Sequence, residues 1–210
     1  MEGSNVSIEF SYLSRRSLLG AGAGLLLTTA VRPLPARAAV PIDRRIVAAP
    51  TRARLAGEGH PETDVWAYNS TVPGLTVRLR QGEPARIVVD NQLEQDTTVH
   101  WHGLLVPAEA DGGPHQVIAA GARWTASFTV ANAASTCWFH PHAHGSTGRQ
   151  VVMGLAGLLI VDDAQMARST LPDTWGVDDL ALVLQDKRFT AAGQIDYTLS
   201  ASDRTNGYTG

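Results

Sequence analysis

The sequence predicts an all-β fold, a sandwich of short strands, and three observations carry that reading. Turns containing Gly or Pro recur at short intervals from Val65 onward, the segments between them alternate apolar and polar side chains, and no long stretch repeats with a helical period. Short alternating strands with frequent turns pack as two sheets rather than as helices over a sheet.

The elements follow in order. Trp66-Ala67-Tyr68 reads as a strand ending at the Pro73-Gly74 turn, and Leu75 to Arg80 alternates strictly. Gln81-Gly82-Glu83-Pro84 turns the chain into Ala85–Val89, and the polar Asp90-Asn91-Gln92 closes that strand. Thr97–Val106 and Arg123–Val130 are expected to be strands, the latter with Trp124, Ala126, Phe128 and Val130 on one face. Ser135–Phe139 and Gly154–Val161 complete the set. Residues 39–162 form this domain, 163–178 a linker, and 179–210 the opening of a second domain. In that opening, Ala181–Gln185 and Ile195–Leu199 flank Ala191-Ala192-Gly193 as a hairpin.

Residues 1–38 read as an export signal rather than as fold. Arg15-Arg16 precedes an uncharged Leu/Ala/Gly stretch from Leu18 to Ala30, and Ala36-Arg37-Ala38 is a small-x-small cleavage pattern. As a helix this stretch rises only about 20 Å, short of a bilayer core of about 30 Å, so no stable membrane span is expected. Paired arginines before a weakly hydrophobic core resemble a bacterial twin-arginine signal and imply a periplasmic protein. Without residues 1–38 the chain keeps 13 basic and 18 acidic side chains, which gives no electrostatic reason to bind nucleic acid. The lone Cys137 excludes an internal disulfide.

Six of the seven histidines fall between His100 and His144. His100-Trp101-His102 on a strand presents two imidazoles on one face and the indole on the other, and His140-Pro141-His142 repeats the spacing. If the two strands are neighbours, four imidazoles converge. Neutral imidazole binds Cu, Zn, Fe and Ni. With no carboxylate between His140 and His144 and no thiolate close to the histidine pairs, the donor set favours copper, with zinc as the competitor. His60 and His115 sit in loop-like contexts and read as surface residues.

Trp66-Ala67-Tyr68-Asn69, Val72-Pro73-Gly74, Thr97-Thr98-Val99-His100-Trp101-His102-Gly103 and Thr136-Cys137-Trp138-Phe139-His140-Pro141-His142-Ala143-His144-Gly145 resemble the first cupredoxin domain of multicopper oxidases. The branch is the bacterial laccase-like and copper-efflux (cuprous oxidase) one, and Asp111-Gly112-Gly113-Pro114, Thr147-Gly148-Arg149-Gln150 and Gly154-Leu155-Ala156-Gly157 extend the match. The resemblance implies a cupredoxin-like Greek-key β-sandwich followed by a partial second cupredoxin domain. It implies that His100 binds the type-2 copper, that His102, His140 and His142 bind the type-3 pair, and that dioxygen is reduced to water there. It makes Asp111 a proton-delivering carboxylate; on the residues alone, a turn-forming role before Gly112-Gly113 stands beside that one. His144 is expected as a hydrogen-bond partner behind the ligands, and Cys137 as a small buried apolar residue.

The family's remaining ligands come from later histidine motifs, one of which carries the type-1 cysteine. No histidine follows His144 and no cysteine follows Cys137. The chain is therefore expected to supply half of a trinuclear ligand set, completed by missing C-terminal cupredoxin domains or by a partner chain. A non-enzymatic copper-binding module and one half of a split oxidase are the alternatives. The reducing substrate, whether phenol, cuprous ion or another metal, is not legible.

Overall fold

The computed structural model describes residues 42–166 and 169–208, so the expected export signal lies outside the described residues. Eight strands among them form two four-stranded sheets. The first sheet contains β1 (Ile42–Ala53), β2 (Thr63–Tyr68), β4 (Pro84–Asn91) and β6 (Arg123–Thr129) in the order β2-β1-β4-β6. The second contains β3 (Gly74–Arg80), β5 (His100–His102), β7 (Ser135–His140) and β8 (Gly157–Asp162) in the order β3-β8-β7-β5. β1 runs parallel to β4 and β3 parallel to β8; the other pairs are antiparallel.

Alternation decides what each strand buries. Ile46 and Ala48, Tyr68, Ala85, Ile87 and Val89, and Ala126 and Phe128 are the buried side chains that the first sheet puts into the core. Val77, Leu79, Trp101, Cys137, Phe139, Leu159 and Val161 are those of the second. Together they make one core, in which Trp101 is fully buried and stacks at 6.2 Å on Trp124. Cys137 is buried, as expected.

β1 was not foreseen. Its inward residues include the small Ala48 and its sequence contains Pro50, which weakens a strand reading. The ladder to β4 ends at Ala48, so Pro50 has a strand neighbour only on the β2 side, where a proline is tolerated. The expected strand Thr97–Val106 shrinks to His100–His102. Thr97 pairs instead with Ile118, and Gly103 turns the chain at φ +94°. A short helix, α1 (Thr147–Val152), follows the second histidine motif; six residues are too few to show a helical period.

The expected hairpin beyond residue 180 does not form as strands. A single antiparallel bridge joins Phe189 to Ile195, and a second short helix, α2 (Ala201–Asn206), follows. Two strands without a third are marginal in water, and this segment leans on the sandwich instead. Thr63 Oγ1 donates to Gly193 O at 2.7 Å, Asp64 N to Gln194 Oε1 at 2.8 Å, and Lys187 Nζ to Val152 O at the end of α1. No helix among the described residues is long and apolar enough to cross a membrane.

Two outcomes follow from this packing. Phe139 and Gly157 are cross-strand partners, and a Cβ on Gly157 would lie 2.2 Å from Phe139 Cζ. Gly157→Ala should destabilise the chain by about 1–3 kcal/mol through overpacking, measured as a lowered urea midpoint. Asp90, on the first sheet, accepts from Arg45 and from Arg123, and those two bonds, Arg45's first, hold its carboxyl below the usual range. A depressed carboxyl stabilises the fold above the unfolded-state value, and that stability is lost as pH falls through the folded value. Asp90→Asn should therefore flatten the loss of stability below about pH 4, measured by urea unfolding at a series of pH values.

Candidate metal centre

β5 and β7 are antiparallel neighbours, and their register sets His100 opposite His140, Trp101 opposite Phe139 and His102 opposite Trp138. The period of two sends Trp101 and Phe139 into the core and leaves the imidazoles on the other face. His142 follows two residues after His140 in the loop leading to α1. The structure thus brings all four predicted residues together. Ring centroids lie 5.7 Å apart for His100–His102, 5.6 Å for His100–His140, 5.4 Å for His100–His142, 5.4 Å for His102–His140 and 6.2 Å for His140–His142.

Hydrogen bonds select which nitrogens are free. His140 Nδ1 lies 2.8 Å from the Pro141 carbonyl, which can only accept, so Nδ1 carries the proton and Nε2 keeps its lone pair. Burial pushes the His140 imidazole down to about 4, against the Pro141 bond and with help from the neighbouring His100, His102 and His142 rings. At neutral pH it is therefore the neutral, metal-binding form. His100 Nδ1 lies 3.1 Å from the Asp111 carbonyl and 3.2 Å from Asp111 Oδ2, which likewise frees Nε2. Such bonds behind a ligand fix its tautomer and orientation.

His102 Nδ1 faces His140 Nε2 at 3.2 Å. Both nitrogens would be placed to hold one ion together. Trp138 stacks on His140 at 3.9 Å and 26°, walling one side of the ring. Among the described residues, no group of three or more His, Cys, Asp or Glu side chains is arranged to hold one ion. Four imidazoles without a thiolate remain a donor set that suits copper or zinc.

Other expectations resolve more simply. Asp111 is both a turn residue and a partner of His100: Gly112 after it, at φ +75°, runs so close to β5 that a Cβ there would lie 1.7 Å from Val99 O. His60 and His115 are exposed, as expected. His144 is exposed and makes no side-chain hydrogen bond among the described residues, so it is not the supporting partner anticipated. Sequence reasoning missed Thr98, Gln150 and Trp138. Thr98 stands two residues before His100 and Trp138 two before His140, so strand periodicity could have found both.

A two-sheet β-sandwich with paired His-x-His motifs at the end of one sheet defines a cupredoxin-like metal-site architecture. The multicopper oxidase family model matches residues 50–166. The chain is 39% identical over 143 residues to multicopper oxidase mco of Staphylococcus aureus, covering 68% of this chain and 31% of that one. It is 33% identical over 198 residues to cell division protein FtsP of Edwardsiella tarda, covering 88% and 42%. Among solved structures, the laccase-like multi-copper oxidase CueO of Ochrobactrum sp. superposes with a TM-score of 0.74 at 39% identity, covering 81% of this chain and 40% of that one. The chain belongs to the multicopper oxidase family, and it spans less than half the length of these relatives.

Because the Asp111 carbonyl alone can hold the His100 Nδ1 proton, Asp111→Asn should keep His100 in the Nδ1–H tautomer. Two-bond ¹H–¹⁵N imidazole spectra of the metal-free chain read this directly; a switch to Nε2–H would assign the tautomer to the carboxylate instead.

Proposed function

We propose that the chain is the copper-binding N-terminal portion of a periplasmic, laccase-like multicopper oxidase and supplies half of its trinuclear copper ligands. In this reading His100 binds the type-2 copper, and His102, His140 and His142 bind the type-3 pair. The carrying observation is the convergence of four imidazoles at the β5/β7 end, with Nε2 of His100 and of His140 freed by bonds behind them. That no three donors among the described residues close on one ion agrees with ions that take their other ligands from elsewhere.

Bound copper would supply one-electron chemistry for reducing dioxygen to water at the expense of a phenol or cuprous ion. The chain's own residues hold and orient the imidazoles, and Asp111 stands against His100 Nδ1 where it can hold and pass protons. The Ochrobactrum relative is described as active towards lignin model compounds and lignosulfonate, which favours the phenolic alternative. Leu171, Val177, Leu180, Leu182 and Leu184 are each 65–94% exposed, an apolar run that further cupredoxin domains or a partner chain would cover. We read residues 179–210 as the opening of the next domain and 163–178 as the linker. Export through the twin-arginine pathway rests on Arg15-Arg16 and the cleavage pattern after them.

FtsP relatives raise a second reading, a role in cell division. Copper binding by the imidazole set is what the oxidase reading requires, so copper tests it. Titrated with Cu(II) and followed by electron paramagnetic resonance, the chain should bind copper through nitrogen donors without an intense blue thiolate band. The His100→Ala/His140→Ala double variant should lose at least tenfold in affinity. Equal binding by that variant would overturn the metal centre. Copper binding with no oxidase turnover in a native protein of this chain's mass would favour the non-enzymatic module. Co-purification with a second cupredoxin chain would favour the split enzyme.

A further inference from the structure

The two histidine motifs are joined by a ladder only three residues long, and His142 lies beyond its end. What holds His142 in register with β5 is a set of buried polar groups that the metal-centre reading does not use. Thr97, Thr98 and Gln150 are each 0% exposed. Thr98 Oγ1 accepts from the His142 backbone N–H at 2.6 Å, across 44 residues of sequence. Gln150, the one buried residue of α1, accepts at Oε1 from Thr97 Oγ1 at 2.7 Å and donates from Nε2 to Asp96 O at 2.8 Å. α1 is itself tied back to the histidine loop, since Ala143 O accepts from Ser146 N, Thr147 N and Thr147 Oγ1.

We propose that Thr98 and Gln150 are positioning residues of the metal centre, a polar clamp that sets His142 relative to His100. The inference deepens the reading above and rests on it. Its physical basis is that a buried amide and buried hydroxyls are costly unless paired. Here each side chain bonds across the gap between the segment leading into His100 and the segment leading out of His142. A core position serving only packing would be met by an apolar residue of similar volume. Instead, three successive residues, Asp96 to Thr98, make one bond each with the His142–Gln150 segment, Thr97 as donor and the other two as acceptors. The clamp acts where the ladder has ended, because the loop carrying His142 has no strand partner of its own. His142 is exposed, so the side chain is free to reach a ligand while its backbone is held.

The test compares Thr98→Val, which keeps the shape and removes the acceptor, with Thr98→Ser, which keeps the acceptor. Two readouts are taken on the full chain: Cu(II) affinity with its electron paramagnetic resonance spectrum, and hydrogen exchange of the His142 amide in the metal-free protein. Thr98→Val should exchange the His142 amide at least tenfold faster, bind Cu(II) about tenfold more weakly or worse, and alter the copper spectrum. Thr98→Ser should stay within about twofold of the wild type in both. Should Thr98→Val not fold, Gln150→Met is read the same way. Wild-type copper binding and spectrum in Thr98→Val, or equal losses in the Val and Ser variants, would overturn the clamp while leaving the metal centre standing. A wild-type chain that binds no copper would overturn the metal centre and the positioning role with it. A protected His142 amide would then mark the clamp as purely structural.

Discussion

The antiparallel register of β5 on β7 is the constraint from which the rest of the centre follows. Setting His100 opposite His140 places Trp101 and Phe139 on the inner face together, so the indole that anchors the core and the imidazoles that face outward are decided by one alignment. A slip of β5 by one residue would turn His100 and His102 into the core and Trp101 into solvent. Trp101 opposes that slip through its burial, its stack on Trp124 and its Nε1–H bond to Ala110 O at 2.8 Å. Since a buried indole is worth several kcal/mol, the core enforces the register that the site needs.

A three-residue strand cannot hold such a site by its ladder alone. Support comes from the loop after β5, where Asp111 returns to His100 and Gly112 lies against Val99, and from α1, which sends Gln150 under the strand's entry. Both are backbone-rich, polar contacts, and the Asp111 contact takes only His100 Nδ1, leaving its Nε2 free. With the His140 proton held at Nδ1 by Pro141 O, the His102 Nδ1–His140 Nε2 contact has His102 as its donor.

Charge and exposure divide the molecule. One face of the first sheet carries Arg45 and Arg123 bound to the buried Asp90, a strut joining β1, β4 and β6. The segment from Leu171 to Leu184 is the apolar counterpart, poorly covered by the sandwich although Lys187 and Gln194 tie the following residues to α1 and β2. Stability therefore concentrates in the sandwich, and the later segment depends on whatever else it packs against.

Residue spacing alone determined much of this protein. Alternation located seven of the eight strands, His-x-His on strands put paired imidazoles on one face, and the quoted motifs identified the family, because each signal is local and periodic. Strand β1 escaped, since the small inward Ala48 and Pro50 mask its alternation. Helix α1 escaped because one and a half turns show no period. The expected hairpin at 181–199 failed because alternation says nothing of whether a third strand exists to pair with. Only the tertiary structure decided that β5 stops at His102, that His144 faces solvent, that Asp111 folds back onto His100, and that Thr98 and Gln150 grip the histidine segments. Those contacts join residues far apart in sequence, where no spacing rule reaches and only the closing of the two sheets brings them within hydrogen-bond distance.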